Sequence, residues 1–427
     1  MKRFYIQTMG CKSNQFETAL VKENLINNGF EESDDIKNAD FYILNSCSVT
    51  HKSDNEAFYL LRTAKNKNSN IRNVLTGCIA QIEKEKLLEY DFVDYVIGND
   101  DKLNLYKYLN EGNTLCVSDI MHQDKFSEVA LSDLSKTRAS LKVQDGCDNR
   151  CSYCIIWKAR GKSRSASLDF VVNQINNFSK SGFKEVVITG IHIGQWGKDI
   201  GLGFIDLVKA IEERTSIERF RLGSLNPTEI NDDLIEYLSK SKKFCPHFHL
   251  SLQSANDKTL KSMNRFYSVD LFLNQIEQIK NTFENVFIGS DIIAGFAGET
   301  GEDFQITVEN LKKSGLTQIH TFPYSVRHGT VGESMPDQVS DSVKVERANV
   351  IKSISKEKYS LFVKNNINTL HEVLIEKHRD KHSGNLKGVT RNYLTVQINS
   401  DREDLYNTLQ NVKIIDYKNG ILYAELV

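Results

Sequence analysis

Three cysteines spaced C-x3-C-x2-C, Cys147, Cys151 and Cys154, stand directly after a short apolar strand, Ser140-Leu141-Lys142-Val143-Gln144. Few loops tolerate three thiols so close together, and soft thiolates are ligands for zinc or for iron–sulfur clusters. A filled four-iron cluster takes four cysteines, so three ligands would leave one iron open to a small molecule. The alternatives are a zinc knuckle with a distant fourth ligand, or thiols that are merely packed. Zinc motifs more often repeat a C-x2-C pair downstream, and none follows here.

A chain of 427 residues normally forms two or three domains with substantial cores. The formal charge of −2 argues against a generally basic coat, so any nucleic-acid contact must be local. No apolar run is long enough to span a bilayer, and no membrane partner is expected. The opening Met1-Lys2-Arg3-Phe4-Tyr5-Ile6-Gln7 meets Gly10 and Cys11 too soon for a signal peptide. Eight cysteines without an export signal point to metal or catalytic use in a reducing cytoplasm.

Roughly residues 1–110 read as alternating strands and helices. Phe4–Gln7, Phe41–Leu44, Val74–Thr76 and Val93–Ile97 are the strands, with helices at Glu17–Asn28 and Asn55–Lys65. That alternation predicts an open parallel sheet with helices on its faces. Cys11, Cys47 and Cys78 each fall just beyond the carboxyl end of a strand, the edge where such sheets bind ligands. The three thiols can therefore converge on a second cluster or on a zinc ion, with His51 as a possible fourth zinc ligand. Cys116 and Cys245 have no ligand neighbours and read as small buried hydrophobes.

Residues 111–135 read as a connector. From about residue 139 the alternation resumes, with strands at Glu185–Thr189, Phe220–Gly223, Phe248–Leu252, Val286–Ile293 and Gln318–Phe322 after the first. Helices intervene at Leu168–Lys180, Phe204–Glu213, Asp232–Ser239, Val269–Thr282 and Thr307–Lys313. Six βα units predict a partial (β/α)6 barrel, with the cysteine loop at the mouth where barrel active sites lie. A Lys- and Arg-rich helix, Val343 to Phe362, reads as a solvated connector. The last sixty or so residues hold five short strands, Val373–Ile375, Leu386–Val389, Tyr393–Ile398, Asn411–Asp416 and Ile421–Val427. They predict a small antiparallel β-barrel.

The stretch Asp145-Gly146-Cys147-Asp148-Asn149-Arg150-Cys151-Ser152-Tyr153-Cys154 resembles the cluster loop of radical S-adenosylmethionine enzymes, and Gly146 through Gly161 resembles their methylthiotransferase branch. Thr8-Met9-Gly10-Cys11-Lys12-Ser13-Asn14, Asn45-Ser46-Cys47-Ser48-Val49-Thr50 and Thr76-Gly77-Cys78 are similar to the three motifs of that family's N-terminal domain. Gly384-Asn385-Leu386-Lys387-Gly388-Val389-Thr390-Arg391-Asn392-Tyr393 resembles a TRAM domain, an RNA-binding barrel, in which Lys387, Arg391 and Tyr393 would meet phosphate and bases. One departure stands out: relatives commonly carry proline where this chain has Trp157.

The resemblance implies an N-terminal domain at residues 1–112, a radical core at 133–368 and a TRAM-like domain at 369–427. It implies two [4Fe-4S] clusters, an auxiliary one on Cys11, Cys47 and Cys78 linked to sulfur donation, and one on Cys147, Cys151 and Cys154 whose open iron binds S-adenosylmethionine. Gly190, His192, Ser224, Gln253 and Gly295, at other strand ends of the same mouth, are the candidate contacts to that cofactor. Each glycine or polar residue there also has a plainer reading as a turn or a helix cap. Gln144-Asp145-Gly146-Cys147, Ala159-Arg160-Gly161 and Thr189-Gly190-Ile191-His192 look most like the branch, called the MtaB type, that methylthiolates carbon 2 of N6-threonylcarbamoyladenosine in tRNA. Other branches act on isopentenyladenosine in tRNA or on a ribosomal-protein aspartate, and a non-catalytic RNA-binding metalloprotein is the reading from another class. The expected partners are tRNA, a reductant protein and a sulfur donor.

Overall fold

Alternating apolar faces build the first unit. In the computed structural model, which describes residues 1–131 and 136–427, six strands form one parallel sheet: β1 (Arg3–Thr8), β2 (Glu31–Glu32), β3 (Phe41–Ser46), β4 (Arg72–Gly77), β5 (Tyr95–Ile97) and β6 (Leu115–Cys116). Phe41 and Ile43 of β3 face a core with Val21 and Leu25, while Tyr42 and Leu44 face one with Ala57 and Leu61. Period-two alternation with both faces buried is what a doubly covered sheet requires. The covering helices are α1 (Lys12–Asn27), α2 (His51–Lys67), α3 (Cys78–Glu83) and α4 (Leu105–Glu111). Strand order is β2-β1-β3-β4-β5-β6, so the winding reverses between β1 and β3, where open sheets of this order bind ligands. The sheet takes its last strand, β6, from the stretch that the sequence predicts as a connector; two residues give no periodicity to read. The start expected for the central unit, residue 133, lies outside the described residues.

The central unit contains β7 (Ala139–Asp145), β8 (Arg164–Ser165), β9 (Glu185–Gly190), β10 (Arg219–Leu222), β11 (His247–Gln253), β12 (Phe287–Ala294) and β13 (Gln318–Pro323). Two sheets, β10-β9-β7-β8 and β11-β12-β13, are joined by the single parallel bridges Phe220↔Phe244 and Leu225↔Leu250. All strand pairs are parallel except that of β8 with β7. The expected six parallel strands therefore form an arc, and the extra strand β8 lies on its edge. The helices are α5 (Ile156–Arg160), α6 (Leu168–Lys180), α7 (Phe204–Arg214), α8 (Asp232–Lys240), α9 (Asp257–Ser262), α10 (Val269–Thr282) and α11 (Gly301–Lys313). Thr300 caps α11, accepting from the Asp303 amide, so the turn Gly298-Glu299-Thr300 takes its plainer role.

Helix α12 (Asp341–Asn365) joins two cores: Ala348, Ile351 and Ile354 pack on the central unit, and Val363 enters the C-terminal one. There β14 (Leu370–Ile375), β15 (Leu386–Thr390), β16 (Thr395–Ile398), β17 (Leu409–Lys418) and β18 (Ile421–Leu426) close into a barrel in the order β14-β15-β16-β18-β17. This barrel docks on the amino-terminal ends of the central strands. Arg219 donates to the Val389 carbonyl at 2.8 Å and Arg221 to those of Thr390 and Arg391 at 2.5 and 2.7 Å. The buried Glu185 carboxylate holds both arginines, at 2.7 and 2.8 Å. Arg391 donates to the carbonyls of Lys242 and Phe244, and the Tyr393 ring lies 4.2 Å from that of His247. Two of the three residues that the sequence predicts for RNA contact are thus spent on docking; Lys387 pairs with Glu376 at 3.4 Å.

Glu185→Gln removes the one carboxylate between two buried guanidinium groups. The cost should be about 3–5 kcal/mol, read as a lowered urea midpoint of the central and C-terminal units; an unchanged midpoint would show that Glu372, 3.5 Å from Arg219, suffices as counter-charge.

Candidate active site: two cysteine triplets beside one cavity

The loop after β7 turns at once on Gly146, and the Cys147 amide closes it by donating to the Gly161 carbonyl at 3.0 Å. Each sulfur in this loop has its own N–H donor. His192 Nδ1 lies 3.5 Å from Cys147 Sγ, Arg265 Nη1 donates to Cys151 Sγ at 3.4 Å, and the Ile156 amide donates to Cys154 Sγ at 3.4 Å. The Trp157 amide also favours the Cys154 anion. Burial first, and then the neighbouring Cys151, push the Cys154 thiol up to about 12. A thiol so disfavoured as an anion needs a cation to ionise at neutral pH, which a metal centre supplies. None of the cysteines forms a disulfide. Three free sulfurs, each with a donor, suit an iron–sulfur cluster, whose thiolates accept such hydrogen bonds.

In the N-terminal unit, Cys47 feels the charges of Cys78 and Cys11, and Cys78 that of Cys11. Cys11 caps α1, Cys47 follows β3 and Cys78 opens α3. Gly10 has φ +90°, and a Cβ there would lie 2.6 Å from Cys47 Cβ and 2.8 Å from its Sγ, so only glycine lets the two strand ends approach this closely. Asn14 ties the same ends together, donating to the carbonyls of Met9 and Ser46 at 2.8 and 2.9 Å. Burial, then Cys78 and Cys11, push the Cys47 thiol up to about 12. His51, the possible zinc ligand, is exposed at the start of α2, its amide donating to Ser325 Oγ at 3.1 Å. Among the described residues no three His, Cys, Asp or Glu side chains are gathered closely enough to hold a single metal ion. A four-iron cluster carries its thiolates on separate irons and asks for a wider arrangement.

One carboxylate links the triplets. Glu17 of α1 receives Lys102 Nζ at 2.6 Å, Lys142 Nζ at 2.7 Å and the Arg160 guanidinium. Burial works to raise its pKa, but Arg160, Lys102 and Lys142 overcome this and hold it well below the carboxylate range. Arg160 ends α5, the helix that follows Cys154, and also binds Asn14, three residues after Cys11. Between the two units lies a cavity of about 1070 Å3, bounded by Val49, Thr50 and His51 after Cys47, and by Cys154, Gln253 and Asp291 on the central unit.

The candidate cofactor contacts divide. Gln253 lines this cavity, with φ +72°. Ser224 is exposed and hydrogen-bonds His249 at 2.9 Å. His192 is buried between Cys147 and Glu229; against its burial, hydrogen bonds to both raise its imidazole to about 9. Gly190 gives room to Gln144, whose carbonyl oxygen would lie 2.8 Å from a Cβ there, and Gly295 gives room to Lys344. Sequence reading missed Arg265, Asn226 and Glu229, which brace the cysteine loop. No motif marks them; they meet only because three strand ends converge. Trp157 stacks under the Arg150 guanidinium, 4.3 Å from its ring.

The family described as "Radical SAM superfamily" matches residues 141–311, and the "Uncharacterized protein family UPF0004" matches residues 3–98. Arc, cysteine loop and match together define a radical S-adenosylmethionine enzyme. A solved radical S-adenosylmethionine methyltransferase, TsrM from Kitasatospora setae, shares the fold at a TM-score of 0.57 with 14% identity, over 75% of each chain. Sequence relatives are nearer. The chain is 34% identical over 413 residues to the threonylcarbamoyladenosine tRNA methylthiotransferase MtaB of Thermotoga maritima, covering 96% of this chain and 94% of that protein. It is 31% identical over 438 residues to the tRNA-2-methylthio-N(6)-dimethylallyladenosine synthase of Clostridium botulinum (strain Loch Maree / Type A3), covering 99% and 96%. The chain belongs to the radical S-adenosylmethionine methylthiotransferase family.

Trp157→Pro would remove a backbone N–H that favours the Cys154 anion while sparing the thiolates. Losing such an N–H beside sulfur destabilises the reduced cluster, so its midpoint potential should fall in an anaerobic titration followed by electron paramagnetic resonance. An unaltered potential would show that this amide does not tune the site.

Proposed function

We propose that this chain transfers a methylthio group to carbon 2 of N6-threonylcarbamoyladenosine in tRNA. One observation carries the reading: Cys154 of one triplet and Val49, Thr50 and His51, which follow Cys47 of the other, line one cavity large enough for a nucleoside and a cofactor. Identity to the Thermotoga maritima enzyme over nearly the whole chain supports the substrate.

Cys147, Cys151 and Cys154 hold one [4Fe-4S] cluster, and Cys11, Cys47 and Cys78 hold the other. S-adenosylmethionine, held at the first cluster, would supply radical chemistry there, which suits an inert aromatic C–H bond with no acidic proton. The protein positions and shields. Arg265 and His192 fix two of the thiolates, and Gln253 stands at the cavity wall to orient the cofactor. Gly190, Ser224 and Gly295 complete the mouth. The working division is residues 1–112 for sulfur donation, 133–368 for radical chemistry and 369–427 for RNA. A reductant protein and a sulfur donor serve the enzyme in the cytoplasm; among the described residues no helix is long and apolar enough to cross a membrane.

The test is nucleoside mass spectrometry of tRNA from cells with and without the gene. The methylthio form of threonylcarbamoyladenosine should vanish in the deletion and return with the intact gene. Loss of the isopentenyl form instead would move the substrate and keep the chemistry. No change in any tRNA nucleoside would direct attention to ribosomal proteins or to a non-catalytic metalloprotein. In the purified protein, Cys151→Ala should abolish cofactor cleavage. Cys47→Ala should retain cleavage and lose methylthio transfer; full product from that variant would overturn the auxiliary role.

A further inference from the structure

The inner face of the β11-β12-β13 sheet carries a polar cluster. Asp291 and His320 are direct partners across β12 and β13, and His249 of β11 sits beside them with its ring 5.6 Å from that of His320. The His249 ring lies over Gly289, where a Cβ would come within 3.1 Å of its Cδ2. Both nitrogens of His249 are engaged, Nδ1 with Ser224 Oγ at 2.9 Å and Nε2 with Asp291 Oδ1 at 3.4 Å. His320 differs. It is exposed, and its side chain makes no hydrogen bond among the described residues.

Period-two alternation places Phe322 on the same face as His320, and Phe322, Ile293 and Asp291 all line the cavity that reaches Cys154. Phe322 is 47% exposed. An open aromatic face beside an unpartnered imidazole is the pairing that holds a purine by stacking and reads its edge by a hydrogen bond. Burial first, then the neighbouring His249, hold the His320 imidazole below its usual range, with Asp291 opposing; a neutral ring still donates one N–H.

We infer that His320 is a specificity-determining residue whose ring N–H binds the carboxylate on the N6 substituent of the substrate adenosine. The inference rests on the substrate proposed above. A threonylcarbamoyl group ends in a carboxylate and a hydroxyl, whereas a dimethylallyl group is a hydrocarbon with nothing to accept. A site built to hydrogen-bond its substrate rejects an analogue that leaves the donor unpaired. Asp291 Oδ1 faces His249 Nε2 at 3.4 Å, a contact that partly offsets its repulsion of an incoming carboxylate.

The test is equilibrium binding of synthetic anticodon stem-loop RNA to the full-length, cluster-loaded protein. Four loops are compared: adenosine unmodified, dimethylallyl, threonylcarbamoyl, and the methyl ester of the threonylcarbamoyl group. His320→Leu should weaken binding of the threonylcarbamoyl loop about tenfold or more, the range of one hydrogen bond to a charged group. His320→Gln, which keeps an N–H at similar reach, should restore part of that loss. The ester should weaken wild-type binding by a similar factor and His320→Leu binding by little. In turnover the loss should appear in KM rather than kcat. Equal binding of the threonylcarbamoyl loop by wild type and His320→Leu would overturn the inference alone. A wild-type preference for the dimethylallyl loop would overturn the proposed substrate and the inference with it.

Discussion

A single buried carboxylate, Glu17, sets the distance between the two halves of the chemistry. Three cations meet it, and Asp145, at the start of the cysteine loop, adds a second carboxylate with Lys142 at 3.0 Å and Arg164 at 3.6 Å. Ions out of water are costly, and such a group survives only when every charge finds a partner. Two carboxylates face four cations, so the junction has an excess of positive charge behind two sets of thiolates. Burial raises the pKa of both Cys47 and Cys78, and the Arg160 charge works against that rise. The surplus is therefore placed to stabilise anionic sulfur, and the same contacts lock α1, which begins at Cys11, to α5, which begins beyond Cys154.

The broad plan was readable because it depends on periodicity. The strand-end position of all six candidate cysteines follows from short apolar runs bounded by glycine and polar turns, and α6 and α10 begin and end where their patterns do. Very short elements were not readable: β6 and β8 have two residues each, and α5 has five. Their conformation is dictated by neighbours distant in sequence. The same reason hid Arg265 and Glu229, whose roles arise only when loops from different strands converge.

Arg391 and Tyr393 teach a different lesson. A basic and an aromatic residue in an RNA-binding type of barrel suggest phosphate and base contact, yet here one satisfies carbonyls of the central unit and the other covers His247 and Phe287. Composition does not tell which face of a small barrel is free. The partners Arg219 and Glu185 start their strands at the end opposite the cysteine loop, with Arg221 two residues on, so the C-terminal barrel is anchored across the core from that loop.

The arc of the central unit never closes. Its edge strands, β8 and β13, each pair with one neighbour only. A sealed barrel admits what can drop in through its end, which suits a free metabolite. A nucleotide in the middle of a long polymer has chain on both sides, and it can enter only through a slot along the wall. Here the free edge of β13 is met by α12, whose Ser355 hydroxyl accepts from the Ile319 amide at 2.8 Å, so any such slot is bordered on that side by a helix rather than by a strand.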